Sequence, residues 1–262
     1  MIRFILIVIF AIIFFILTLP LLVIALIGGL FSNKFRFAIA HALCTLGIKI
    51  VVFVSGVKVT YIGLDNIPKD RSVLYTANHC GFFDIILTYP ILNYRSSFIS
   101  KQVLSKVPVF AQWMKCLNCL FLDRKDIKSG LKMVLTAIEM VKNGTSIFIF
   151  PEGTRSRDGK LHDFKEGSFK IATKSECPVI PVAISNTAAV FEDQFPKVIP
   201  QNIVIEFGTP IETKGLSRDD LKFIGRHTHD IIAKMLEKNY DTLGLTFNGV
   251  AKPIETENPS HS

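Results

Sequence analysis

The 262-residue sequence is poor in cysteine and tryptophan, and it carries no charged residue from Phe4 to Phe31. Its five cysteines are odd in number and irregular in spacing, which excludes a disulfide framework and points to a reduced compartment. Cys116 and Cys119 form a single C-x-x-C. No second pair and no His-x₃₋₅-His follows it, so a structural zinc site lacks half its ligands. The pair lies between a helical pattern and a strand rather than at a helix start, which argues against a thioredoxin-like redox role and for two buried cysteines. His227 and His229 point to different faces of a helix, poor geometry for sharing one ion, and no metal is expected. The chain has no G-x-S-x-G elbow for a hydrolase. It has no helix-turn-helix, zinc-finger spacing or basic-aromatic strand, so nucleic acid is not an expected partner. Acidic residues are also in deficit, with 22 Asp and Glu against 30 Lys and Arg. A net charge of +8 then suits an anionic membrane surface or a phosphorylated substrate.

The uncharged run is too long for a signal-peptide core. As one straight helix it would extend about 40 Å, against about 30 Å of bilayer hydrocarbon. Pro20 and Gly28-Gly29 interrupt it. It therefore reads either as one tilted, kinked span or as a re-entrant helical hairpin that continues into residues 38–54. If the first run spans, Lys34 and Arg36 outweigh Arg3 and place the catalytic part on the cytoplasmic face. Residues 1–54 are thus expected to form a membrane-embedded helical segment, 55–245 a catalytic domain and 246–262 a polar tail, disordered from about Lys252.

Beyond residue 55, short β-rich runs alternate with helical periods, the pattern of an α/β domain with a central mixed sheet flanked by helices. Strands are predicted at Lys58–Ile62, Val73–Thr76, Ser97–Ile99, Leu120–Leu122, Ser146–Phe150, Val179–Ile184 and Ile203–Phe207. The unbroken apolar run at 147–150 marks an interior strand. A helix is expected from Asp126 to Asn143-Gly144, with Ile127, Leu131, Val134, Leu135 and Ile138 on one face and Lys128, Lys132 and Lys142 on a solvated one. Ser217 and Asp220 form a capping-box-like start for another helix running through Ile231 and Met235. Pro181 should mark a sheet edge, a strand start or a bulge.

Four stretches stand out from this background. Asn78-His79-Cys80-Gly81-Phe82-Phe83-Asp84 follows a strand end, where ligands collect in open α/β sheets. If the loop folds back, Asp84 can fix the tautomer of His79 and stabilise the imidazolium formed when it takes a proton. Phe121-Leu122-Asp123-Arg124 ends a strand with an arginine able to grip phosphate. Phe150-Pro151-Glu152-Gly153-Thr154-Arg155-Ser156 feeds a buried-looking strand into a loop with a carboxylate, a glycine and a second arginine. Val179-Ile180-Pro181-Val182-Ala183 is the fourth. In this order and at these separations they resemble the motif set of the 1-acylglycerol-3-phosphate acyltransferases, the glycerolipid acyltransferase family marked by N-H-x-x-x-x-D. The resemblance covers about Val73 to Ile211.

The resemblance implies that His79, oriented by Asp84, is the general base for acyl transfer to lysophosphatidic acid. It makes Lys101, Arg124, Glu152, Gly153, Thr154 and Arg155 the expected substrate-binding set, with nearby backbone N–H groups facing the oxyanion. No cofactor is expected beyond acyl-CoA or acyl-acyl-carrier-protein as co-substrate, and membrane lipids are expected partners. Many family members have a polar or basic residue and then serine after the histidine, whereas this chain has Cys80 and Gly81. That departure bears on the acceptor, leaving glycerol 3-phosphate, another lysophospholipid or a lysocardiolipin as alternatives, and Cys80 is expected only to pack. A non-catalytic membrane scaffold would be favoured had the histidine or aspartate been missing.

Overall fold

In the computed structural model, which describes residues 1–92 and 95–251, the uncharged N-terminal run folds as two helices, α1 (Ile2–Leu17) and α2 (Leu19–Phe31), bent by 50°. The break has a local cause. The Thr18 hydroxyl donates back to the Phe14 carbonyl at 2.8 Å, and Pro20 stands in the first turn of α2, where its missing N–H costs nothing. Ser32 then caps α3 (Asn33–Ser55) by accepting from the Phe35 amide, and Gly56, at φ +72°, ends it.

Among the described residues α3 is long and apolar enough to cross a bilayer, and α1 with α2 would count as another span if the bent pair is one. All three helices nevertheless lie against the rest of the chain. Leu22, Ala25, Phe37 and Ala40 are buried in the main core. Arg36 donates to Asn118 at 3.1 Å, and His41 bonds the Tyr89 hydroxyl at 2.9 Å. Phe4 stacks on Phe191, and Phe15 meets Phe110 edge-on. Their outer faces leave Ile5, Ile12, Ile16, Leu30, Phe31 and Phe53 exposed.

The seven predicted strands are present: β1 (Lys58–Ile62), β2 (Leu74–Ala77), β3 (Ser96–Lys101), β4 (Leu120–Leu122), β5 (Ser146–Ile149), β6 (Val179–Ser185) and β7 (Asn202–Phe207). They form one sheet in the order β1-β7-β6-β2-β5-β3-β4. It is mixed, parallel at every pairing except β6–β7. Every residue of β2, β5 and β6 is buried, as an interior strand covered on both faces requires. The N-terminal helices, α4 (Phe82–Thr88) and α5 (Phe110–Cys116) cover one face. On the other lie α6 (Ile127–Lys142) and α7 (Lys170–Ser175), with α9 (Ile224–Thr242) packing on β6.

Two local readings need correction, and that of Pro181 is narrowed to one of its alternatives. Strand β6 is not an edge. Pro181 sits inside the sheet, where the pairing with the following chain steps by one residue between Pro181–Gly208 and Val179–Ile211, so the missing N–H falls at a bulge. Helix α6 begins and ends where expected, capped by Asp126, but it buries Met133, Ala137, Ile138 and Val141. Ile127, Leu131 and Leu135, assigned to its apolar face, are 90%, 61% and 55% exposed. The helix expected from Ser217 is two, α8 (Arg218–Lys222) and α9, broken at Phe223. The tail beyond residue 251 lies outside the described residues.

Candidate active site

Strand β2 ends at Ala77, and the loop that follows is held on every side. The Asn78 side chain continues the β2–β6 ladder, accepting from the Ile184 amide and donating to its carbonyl, both at 2.8 Å. The His79 amide donates to Glu152 Oε1 at 2.7 Å, and the His79 carbonyl accepts from the Ser156 amide at 2.8 Å. With the backbone clamped, the imidazole stacks on Phe150, ring centroids 4.0 Å apart. Its Nδ1–H donates to Asp84 Oδ2 at 2.7 Å. Among the described residues Nε2 has no hydrogen-bond partner.

Asp84, in the first turn of α4, is fully buried. Oδ2 also accepts from the Cys80 and Gly81 amides at 2.7 and 2.9 Å, and Oδ1 accepts from the Thr187 hydroxyl. Such a set of donors occupies both carboxylate oxygens and fixes which imidazole nitrogen carries the proton. Thr187, just past β6, could not be found from sequence, since its contact with Asp84 spans 103 residues.

Glu152 acts as a brace, its two oxygens accepting from the His79 and His162 amides. Burial pushes its carboxyl up to about 8 against those two donors, with the charges of Asp84 and Asp158 adding to the rise. Gly153 adopts φ +79°, and a Cβ there would stand 2.9 Å from Lys165 Nζ. Lys165 thus leans over the loop, another residue sequence reasoning missed. Thr154 is exposed and its hydroxyl bonds only the neighbouring Arg155 carbonyl.

The cations gather at the same end of the sheet. Lys101 is the last residue of β3, paired with Leu122 of β4, and Arg124 lies just beyond that strand. Burial and then the charges of Arg124, Arg155 and Arg157 lower the Lys101 ammonium, which places the four within electrostatic reach of one another. Arg157 completes a cluster of which sequence reasoning named three. Arg155 is held by Glu192 at 3.0 Å and lies over the Phe82 ring, 4.6 Å from its centroid. Glu192, which also accepts from the Phe82 amide at 2.8 Å, carries no signal in the sequence. Burial raises its carboxyl.

Of the backbone N–H groups expected to face an oxyanion, those of Cys80 and Gly81 are committed to Asp84, Gly153 to Phe150 and Ser156 to His79. Among the described residues the amides of Thr154 and Arg155 make no hydrogen bond. Burial and then the charges of Asp84, Glu152 and Glu192 hold the Cys80 thiol well above its usual range, which argues against a nucleophilic role. Cys80 faces a cleft of about 360 Å³ between the Ser156–Gly159 turn, Asn186 and Tyr240, on which His79 does not open. Cys116 is buried, Cys119 half-buried, and both are free thiols.

A histidine with one nitrogen fixed by a buried carboxylate and the other free, near a group of cations, can take a proton from an anionic substrate. Comparison with known proteins gives this geometry a context. A family model described as Acyltransferase matches residues 58–185. The chain is 35% identical over 164 residues to a chloroplastic 1-acyl-sn-glycerol-3-phosphate acyltransferase of Brassica napus, covering 62% of this chain and 46% of that one. It thus spans about half the length of the plant chloroplast relatives it matches. A 1-acyl-sn-glycerol-3-phosphate acyltransferase of Borreliella burgdorferi is 28% identical, covering 80% of this chain and 76% of that protein. The crystal structure of the 1-acyl-sn-glycerophosphate acyltransferase PlsC from Thermotoga maritima superposes with a TM-score of 0.69 at 27% identity, covering 90% of this chain and 97% of that one.

Proposed function

We propose that this chain, which belongs to the PlsC-type acyltransferase family, transfers a fatty acyl group from a thioester to the sn-2 hydroxyl of 1-acylglycerol 3-phosphate and so makes phosphatidic acid. The observation that carries the reading is the free Nε2 of His79 opposite a nitrogen bonded to buried Asp84. Nε2 takes the hydroxyl proton as the oxygen attacks the thioester carbonyl. When the tetrahedral intermediate collapses, the C–S bond breaks and the sulfur leaves as a thiol with the proton His79 had taken. Asp84 stays ionised throughout and stabilises the imidazolium. No enzyme nucleophile is needed.

Lys101, Arg124 and Arg155 would hold the acceptor phosphate, Arg155 keeping further guanidinium donors beyond the one spent on Glu192. Glu152 and Gly153 shape the loop, and the free amides of Thr154 and Arg155 are the candidates for the oxyanion. The donor is acyl-CoA or an acyl carrier protein, either of which suits a basic chain.

On this reading residues 1–54 are the membrane-embedded segment and 55–245 the catalytic domain. Arg36, Phe37, Ala40 and His41 tie α3 to the catalytic domain along its first half, and Ser55 is buried at its end. Such a helix suits insertion into one leaflet better than a crossing. The excess of Lys34 and Arg36 over Arg3 still favours the cytoplasmic face for the active site.

The test is acyl transfer by the reconstituted chain, offered lysophosphatidic acid with each thioester, beside His79→Ala. Phosphatidic acid made by the native chain and lost in the variant supports acceptor and base, and the better thioester names the donor. A native chain that acylates only other lysolipids refutes the acceptor. An active His79→Ala refutes the mechanism.

A further inference from the structure

Outside the N-terminal helices, an apolar surface is left uncovered along α6 and the turn after β3. Ile127, Leu131 and Leu135 recur every four residues and so stack along one flank of α6. They are 90%, 61% and 55% exposed. Across edge strand β4, the 3₁₀ turn Gln102–Lys106 and the residue that follows it add Val103 and Val107, 63% and 43% exposed. The next stripe round α6 carries Lys128 and Lys132, both exposed. An exposed apolar stripe bordered by lysines is the pattern of a helix lying in a bilayer interface.

Two further observations choose the occupant. Residues 101–135 contain seven basic side chains and two acidic ones, and both acids are spent on backbone amides, Asp123 on Lys125 and Asp126 on Lys128. The surface is also continuous with the apolar N-terminal helices, because α5 packs on α2 and α3, the 102–106 turn packs on α5 and β4, and α6 packs on β4. Val103 follows Lys101 and Ile127 follows Arg124 within three residues, so the patch borders the cation cluster.

We infer that the outer flank of α6 and the 102–107 turn form a second membrane-contacting surface, docked on an anionic bilayer, which lets a lysolipid headgroup reach Lys101 and Arg124 while its chain stays in the lipid. The last clause rests on the proposed acceptor. The docking itself does not.

The experiment places the full chain in nanodiscs whose lipids carry brominated acyl chains, which quench indole fluorescence on contact. Trp113 is the chain's one tryptophan. In a Trp113→Phe background, Leu131→Trp probes the flank and Lys234→Trp, on the exposed face of α9, is the control. If Trp113→Phe does not fold, both probes are read by difference against native protein. The indole at 131 is expected to be quenched about two-fold more than the control in anionic discs, and less in zwitterionic ones, as interfacial insertion aided by charge requires. Equal quenching at 131 and 234 would overturn the docking and leave the flank to a protein partner. Quenching at 131 that ignores lipid charge would overturn the role of the lysines. Neither readout needs turnover, so failure here is separate from failure of the acyl-transfer reading.

Discussion

Replacing Asp84 with asparagine isolates charge from geometry at the centre of the proposed mechanism. Oδ2 accepts from His79 Nδ1, Cys80 N and Gly81 N, and Oδ1 from the Thr187 hydroxyl. An asparagine that sets its carbonyl in the Oδ2 position keeps the first three donors and presents its NH₂ to Thr187, whose hydroxyl can rotate to accept. Hydrogen bonding around the loop is then largely preserved, and stability should fall by only about 1 kcal/mol. What is lost is the negative charge beside the imidazolium. Hydrogen bonds to a charged partner contribute about 1.5–3 kcal/mol, and at 1.36 kcal/mol per decade that is a loss of about 10- to 150-fold in kcat.

The assay is steady-state acyl transfer, with kcat and KM determined separately for native protein and Asp84→Asn, alongside a melting curve in the same detergent. A melting curve lowered by only about 2–4 °C, with kcat down by one to two decades, is the expected result. Asp84→Ala is the contrasting variant, since it strands two buried amides and a hydroxyl at about 1–3 kcal/mol each, a large part of a typical domain's stability. An Asp84→Asn enzyme with kcat within about two-fold of native would refute the electrostatic role and leave Asp84 as a loop clamp.

Glu152, raised to about 8 in the folded state, binds its proton more tightly there than when unfolded. Folding stability should therefore fall as pH rises from the ordinary glutamate value through about 8 and level off above it, and Glu152→Gln should remove that slope in melting curves taken across this range. Arg155→Ala should raise KM for lysophosphatidic acid about 10-fold or more by removing a charge-assisted phosphate contact, with a smaller effect on the thioester KM, read from kinetics with either substrate varied. A Cβ at Gly81 would collide with Glu192 Oε2, so Gly81→Ala should push the Glu192 carboxylate off Phe82 N and Arg155. The effects of Gly81→Ala and Glu192→Ala on acceptor KM should then be strongly non-additive in a double-mutant cycle.

How much of this was readable beforehand depends on how local each determinant is. All seven strands were legible because runs such as Ser146–Ile149 are β-rich and bounded by turn residues such as Asn143-Gly144. The α6 boundaries were legible because Asp126 caps from two residues away. Its buried face was not. A stripe of Ile and Leu outranks Met133, Ala137 and Val141 on any hydropathy count, yet the sheet selects the flank whose small Ala137 allows close approach. Pro181 left an edge, a strand start and a bulge open for a related reason, since the register step that makes it a bulge lies in the partner segment after β7. His79, Asp84, Arg124 and Arg155 stood in recognisable stretches. Thr187 and Glu192 reach the same loop across 103 and 110 residues, and no pattern along the chain encodes that meeting.

Those long-range contacts explain why the base can be so rigid. The peptide of His79 is bonded at its nitrogen by Glu152 and at its oxygen by Ser156, its ring is stacked on Phe150, and its Nδ1 is held by Asp84. Asn78 fastens the preceding residue to β6. Among the described residues Nε2 is the ring nitrogen left without a protein bond, and on the proposed mechanism it is the one that must meet the substrate. A base fixed in this way cannot search for a lipid hydroxyl, so the lipid has to arrive in register. On the proposed mechanism the parts that would deliver it lie at the same end of the sheet or next to it: Lys101, Arg124 and Arg155 for the phosphate, and apolar surface on α1, α2, α3 and α6 for the chain. If a chain-bearing acceptor must enter from a bilayer that these surfaces contact, a water-soluble short-chain lysophosphatidic acid should lose in KM rather than in kcat, because the geometry at Nε2 is built before the acceptor arrives.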